Sequence, residues 1–159
     1  NHFKSLSYSR RQEIRYALKN GIKCVLSDDY EEFYRLYYAM LKEYYDDARN
    51  FVEKLKNLEK KYGKKLRLYY VEDDSGEKVA ACVFGLFNNQ AYYLYGVTSK
   101  ESRERYSGSY ILWESMKELQ KQGIEMIDLE GVNSPQRGWF KLSFGGTLIP
   151  YYHVKWSNN

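Results

Sequence analysis

The sequence predicts an α/β (α+β) domain in which a central mixed sheet, antiparallel in its middle and parallel at one side, is flanked by helices. Two observations carry that reading. Three apolar runs at 66–71, 79–87 and 91–97 are separated by the turn formers Asp73-Asp74-Ser75-Gly76 and Asn88-Asn89, as in an antiparallel meander. The third run leads through an amphipathic stretch at 110–122 into another apolar run at 124–130, the pattern of a strand, a helix and a parallel strand.

Each element has its own local cause. Ser9 and Gln12 stand at capping-box spacing, Ile14, Ala17 and Leu18 share a face, and Gly21 follows, so the first helix is marked at both ends. Arg10, Arg11 and Arg15 on its opening turns read as a solvated face. Residues 22–26 form a short first strand. Asp28 and Glu31 repeat the capping spacing at the head of a long helix over 29–49, with Phe33, Tyr37, Met40, Leu41 and Tyr44 in one stripe. Tyr34, Tyr38 and Tyr45 widen the stripe, which predicts cover on a second side. Asn50 and Glu53 open a third helix over 51–62, with Val52, Leu55 and Leu58 inward and a solubilising lysine-rich outer face. In the helix at 110–122, Ile111, Leu112, Met116 and Leu119 point inward.

The run from Ile124 to Gly146 concentrates the most information. Ile124 and Met126 lie on one parity and Ile127 and Leu129 on the other, as in a strand buried on both faces. Asp128 and Glu130 approach its carboxyl end, where open α/β sheets place ligands. Gly131 breaks the strand, Ser134-Pro135-Gln136 opens a short helix carrying Trp139, Phe140 and Phe144, and Gly145-Gly146 ends it. Residues 147–156 are expected to return as a last strand.

Length and composition set bounds. A chain of 159 residues is one domain and long enough for a core, and no apolar run reaches the length of a membrane span. The N-terminus has no signal-peptide pattern, so the expectation is a soluble cytoplasmic protein; the absence of an initial methionine suits a piece of something longer. The net charge of +4 permits a phosphate-bearing partner without announcing one. Cys24 and Cys82 sit in apolar runs and read as packing; with only His2 and His153 besides, no metal-ligand spacing exists. Eighteen tyrosines suggest broad amphipathic surfaces, or plain use of tyrosine in place of phenylalanine.

The order IDLEG, loop, WFKLSFGG and tyrosine-rich segment, preceded by YLYGVTSKESRERYSGSYILWESMKELQKQGIEM, resembles the Fem family of peptidoglycan-bridge aminoacyltransferases, which are built on the GNAT (N-acetyltransferase-like) fold. The opening SYSRRQEIRYALKNGIKCV and the helix that follows agree, so the resemblance spans roughly the whole chain. It implies a GNAT-like domain whose two parallel strands splay apart to admit a donor. Fem enzymes resemble two such domains in tandem, which leaves room for a second GNAT-like domain as partner.

Candidate chemistry follows from residues and resemblance together. Unpaired N–H groups and the macrodipole make the start of the helix after the third strand of the meander a natural anion site. Arg103, Arg105, Ser107, Gly108 and Ser109 are the candidates there. CoA-dependent GNAT enzymes carry an Arg/Gln-x-x-Gly-x-Gly/Ala motif in this loop; here Arg105 and Gly108 are retained and Tyr110 replaces the last small residue. A ring at that position is expected to crowd the pyrophosphate, which favours an aminoacyl-tRNA donor over acyl-CoA. Lys141 matches the lysine of the Fem aromatic-Lys motif, and the resemblance implies that it stabilises negative charge. Glu130 is the candidate general base if burial lifts its pKa, with Asp128 second; Tyr95 and His153 are read as packing.

Three functional readings stand at this point. The first is a Fem-like N-acyltransferase moving an aminoacyl or acyl group from an activated donor to an amine acceptor, such as a peptidoglycan precursor. The second is a CoA-dependent GNAT acetylating a small amine. The third is a non-catalytic GNAT-like binding domain.

Overall fold

The computed structural model describes residues 2–152 and 154–156. The order is α1 (His2–Ser5), α2 (Tyr8–Lys19), β1 (Lys23–Ser27), α3 (Tyr30–Leu41), α4 (Ala48–Tyr62), β2 (Leu66–Glu72), β3 (Lys78–Phe87), β4 (Gln90–Thr98), α5 (Ser107–Lys121), β5 (Met126–Asp128) and α6 (Pro135–Leu142). Short 3-10 turns at Gly63–Lys65 and Arg103–Arg105 precede β2 and α5.

The sheet runs β1-β2-β3-β4-β5 in sequence order, antiparallel through β4 and parallel between β4 and β5, as the meander and the strand, helix, strand unit predict. Its two faces bury separate cores. Tyr69, Val71, Cys82, Phe84 and Ala91 pack under α2 and α5, with Ile14, Ala17, Ile111, Leu112 and Leu119. Leu68, Tyr70, Ala81, Val83 and Val97 pack under α3 and α4, with Phe33, Tyr34, Val52 and Leu55. No helix among the described residues is long and apolar enough to cross a membrane.

A bulge re-aims β4. Val83 pairs with Tyr95 and Phe84 with Tyr93, so Leu94 is an extra residue on β4. Before it, Ala91 and Tyr93 face the α5 side; after it, Tyr95 and Val97 face α3. One inserted residue therefore carries the far half of the strand to the other core.

Four expectations are corrected. The helix over 29–49 is two helices: α3 ends at Leu41, whose carbonyl accepts from both Tyr44 and Tyr45 N–H at 2.9 Å, and α4 starts at Ala48. Glu43, Asp46 and Asp47 crowd the α3 C-terminus, where carboxylates oppose the helix dipole. The caps also shift, to Ser7 for α2 and Asp29 for α3, each accepting a backbone N–H three residues on. The strand at 124–130 shrinks to Met126–Asp128 and lies at the sheet edge, so Met126 is exposed rather than buried on both faces. Residues 147–152 and 154–156 form no strand; they pair with no ladder, and Leu148, Ile149, Tyr151, Tyr152 and Val154 stand exposed.

Arg10 is not on a solvated face. It is 6% exposed and lies on the inward stripe of α2 with Ile14 and Ala17, at helical spacings of four and seven.

Candidate active site

The parallel pairing of β4 with β5 lasts three residues, Gln90 with Met126, Ala91 with Ile127 and Tyr92 with Asp128. Past Tyr92, the remaining β4 edge has no strand partner on that side among the described residues. β5 turns away at once: Asp128 Oδ1 accepts the Glu130 N–H at 2.7 Å, and Glu130 takes a left-handed φ of 64°. That opening is bordered by the first turn of α5 and by α6.

On the α6 side, Lys141 Nζ donates to the Gly131 carbonyl at 2.9 Å, which brings it to the turn that carries Asp128 and Glu130. Burial pushes the Lys141 pKa below the usual lysine range, while the Glu130 and Asp128 charges pull it back up. Glu130 itself is exposed, so it is not the buried carboxylate expected from the sequence. Asp128 is occupied in fixing the turn. α6 is seated on this turn tightly: a Cβ on Gly138 would lie 2.5 Å from the Val132 carbonyl oxygen.

Arg137, one helical turn before Lys141, was not singled out from the sequence. Its charge acts on Lys141, Tyr37 and Tyr93, so it faces the same opening, and it has no hydrogen bond or ion pair among the described residues. The spacing of four between Arg137 and Lys141 was the available signal. Tyr95 packs its ring against Tyr37, centroids 5.6 Å apart, in the α3 core. His153 lies outside the described residues.

At the other border, α5 begins after Tyr106, three residues earlier than the sequence suggests. Gly108 abuts the end of β4, where a Cβ would come within 3.1 Å of Thr98 Oγ1. The backbone N–H groups of Ser107 and Gly108 have no acceptor among the described residues, as is usual in a first helical turn. The side chains are differently engaged. Ser107 Oγ donates to the Ser102 carbonyl at 3.1 Å, and Ser109 Oγ contacts Glu13 Oε2 at 2.5 Å and Arg10. An anion at this turn would therefore meet backbone rather than serine hydroxyls. Arg105 reaches the β2–β3 turn, 3.4 Å from Asp74 Oδ1 and 3.7 Å from Asp73 Oδ2, whereas Arg103 borders a cleft of about 250 Å³ between α3 and the end of β4.

Tyr110 overturns one inference from the sequence. Its ring is 6% exposed and packs in the core between α5 and the sheet, close to the Cys24 backbone. The side chain leaves the helix on the inward face, so it does not crowd the first turn. Tyr110 therefore gives no ground against an acyl-CoA donor.

A buried network joins the two borders. Arg10 Nε donates to Ser143 Oγ at 2.9 Å, and its Nη1 contacts Ser109 and Glu13; the guanidinium lies over Phe140 at 4.5 Å and Phe144 at 5.2 Å. α2 thus clamps the start of α5 to the end of α6. The cysteines lie elsewhere: burial pushes Cys24 up to about 12 and Cys82 well up, which keeps both thiols protonated.

A model of the acetyltransferase (GNAT) domain matches residues 7–138. The chain belongs to the GNAT family. Its five-stranded mixed sheet agrees with solved GNAT structures. A putative acetyl transferase from Pyrococcus furiosus superposes with a TM-score of 0.67 at 15% identity, over 84% of this chain and 98% of that one. A predicted acetyltransferase from Clostridium acetobutylicum, solved with acetyl-CoA, gives 0.61 at 12% identity, over 84% and 95%. FemX gives 0.70 at 14% identity over 90% of this chain, and the chain spans 55% of the length of FemX. At these identities the likeness is one of fold. None of the curated proteins matches the sequence significantly.

Proposed function

We propose that this GNAT domain transfers an acyl group from acyl-CoA to an amine, at the opening between β4 and β5. The observation that carries the reading is the placement of Lys141 at the mouth of that opening, half-buried and tied to Gly131. The open first turn of α5, with Gly108 against Thr98 and Tyr110 turned inward, supports CoA as donor by offering backbone N–H groups to a pyrophosphate.

The roles follow from charge. The acceptor nitrogen attacks the thioester carbonyl, a C–N bond forms, and the Lys141 ammonium stabilises the oxyanion. Glu130, exposed beside it, accepts the proton leaving the nitrogen. The C–S bond then breaks, and the departing thiolate takes up a proton. Arg137 adds a second cation for an anionic group on donor or acceptor.

A second reading is supported by the superposition on FemX over 90% of this chain. In that reading the donor is an aminoacyl-tRNA, the acceptor a peptidoglycan precursor, and a second GNAT-like domain is the partner. Thiol release from acetyl-CoA in the presence of a panel of primary amines tests the first reading. Turnover is expected, and Lys141→Ala, folded by circular dichroism, is expected to lower kcat on the order of 10²-fold. Full activity in that variant removes the role of Lys141. Absence of both thiol release and CoA binding overturns the acyl-CoA reading.

A further inference from the structure

Lys141 and Glu130 mark the reacting end of the opening, and the walls beside them restrict which amine fits. On the α5 face of β4 the Tyr93 hydroxyl fills the space that a Cβ at Gly96 would need, so an acceptor finds no room there. The α3 face is built differently. Tyr37 stacks on Phe33 with centroids 5.5 Å apart and meets Tyr95 edge-on at 5.6 Å, so its ring is held in place beside the unpaired part of β4.

The rings continue outward from there. At the corner between α3 and α4, Tyr45 and Phe51 pack together with centroids 5.6 Å apart, yet they remain 46% and 41% exposed. Rings that served only the core would be covered. Tyr45 is close enough to Tyr37 for each hydroxyl to influence the other's ionisation, so an aromatic wall leads from solvent to the β4 edge.

Arg137 faces that wall. It is exposed, its charge acts on both Tyr37 and Lys141, and it has no hydrogen bond or ion pair among the described residues. Arg137 and Lys141 are four residues apart on α6, which sets their Cβ atoms about 6 Å from each other. An acceptor that places an anion on Arg137 and its nitrogen beside Lys141 must carry the two groups only a few bonds apart. An α-amino acid does so, and its planar carboxylate suits the guanidinium fork.

We propose that the acceptor is an α-amino acid with an aromatic side chain: Arg137 holds its carboxylate, Lys141 and Glu130 flank its amine, and its ring lies against Tyr37 and Tyr45. This rests on the acyl-CoA reading of the site and names the acceptor for it. Transfer yields the N-acyl amino acid and the free thiol of CoA.

The test is the rate of thiol release from acetyl-CoA with phenylalanine, phenylalaninamide, phenethylamine or alanine as acceptor, for the parent chain, Arg137→Ala, Tyr45→Ala and Tyr45→Phe. Both positions are exposed, and circular dichroism checks that the variants fold. The parent is expected to favour phenylalanine over the amide and phenethylamine on the order of 10- to 100-fold in kcat/KM, the scale of a hydrogen bond to a charged group. It should favour phenylalanine over alanine about tenfold, the scale of one ring contact. Arg137→Ala should abolish the first preference and keep the second. Tyr45→Ala should reduce the second and keep the first, and Tyr45→Phe should retain both.

Variants that lower all four rates in proportion, leaving the ratios as in the parent, would show a structural role only and overturn the proposal. So would an Arg137→Ala variant whose sole change is a higher KM for acetyl-CoA, which would assign Arg137 to the donor. Equal rates with the four amines, or CoA binding without transfer to any of them, overturn the acceptor class and leave the acyl-CoA reading standing. Absence of both CoA binding and transfer overturns the two together.

Discussion

Arg10 and Ser143 are 133 residues apart in sequence and joined by a 2.9 Å hydrogen bond in the core. Through that bond and its contact with Ser109, Arg10 links the two helices that border the candidate active site. A buried guanidinium on one helix therefore governs the spacing of two others.

Removing it should be costly. Arg10→Ala strips Glu13 of its partner and leaves Ser109 and Ser143 short of a donor, and a loss of about 3 kcal/mol is expected from breaking a buried pair. Urea unfolding measures it. Arg10→Lys should not restore stability, because an ammonium cannot reach Glu13, Ser109 and Ser143 together while stacking on Phe140 and Phe144. An unchanged unfolding midpoint in Arg10→Ala would contradict the clamp.

Gly138→Ala should unseat α6. The added methyl would fall 2.5 Å from the Val132 carbonyl oxygen, a backbone atom with little freedom to retreat. The expected cost is about 1–3 kcal/mol, as for other overpacked sites, together with loss of acyl transfer as Lys141 moves from Gly131. Gly146→Ala, where nothing lies within 4 Å, is the matched control and should be near neutral by thermal melting.

Lys141 should lose its proton at lower pH than an ordinary surface lysine, because burial disfavours its charged form. Since Glu130 opposes that shift, Glu130→Gln should lower the midpoint further. An NMR titration followed at the Lys141 ε-carbon reads both effects. A midpoint that rises in Glu130→Gln would show that the two groups do not interact as described.

Asp29 pairs with Lys78 at 2.6 Å and caps α3 through the Glu32 N–H at 3.2 Å, and these bonds, the one to Lys78 foremost, hold its carboxyl below the usual range. A depressed carboxylate pKa means that this stabilisation is complete above the ordinary carboxylate range and is lost as pH falls through the folded-state value. Asp29→Ala should cost about 1 kcal/mol at neutral pH, the scale of a lost N-cap. The difference from the parent should vanish in acid, as unfolding curves collected across pH would show.

Strands and most helices were legible because their causes are local. Turn formers at Asp73–Gly76 and Asn88-Asn89 bracket apolar runs, and the inward residues of α5 repeat at helical spacing. Glu130 could be named from its place at the end of a predicted strand, and Lys141 from the resemblance to the Fem aromatic-Lys motif. Arg137 could have been, from its spacing to Lys141. The final segment was misread, since a run rich in apolar residues has strand propensity whether or not a neighbouring edge exists to pair with it.

Local sequence pattern is enough for the meander, for the strand, helix, strand unit and for the residues that could bear charge at its carboxyl end. Period and turn chemistry act over a few residues, and they decide which element forms and which stripe is apolar. Long-range packing is what puts Arg10 on the buried stripe of α2, turns Tyr110 into the core rather than toward the anion turn, and through Leu94 sends Tyr95 toward α3. Each of those outcomes depends on which distant surface covers a given face, and a contact between residues 99 or 133 positions apart leaves no trace in the local pattern.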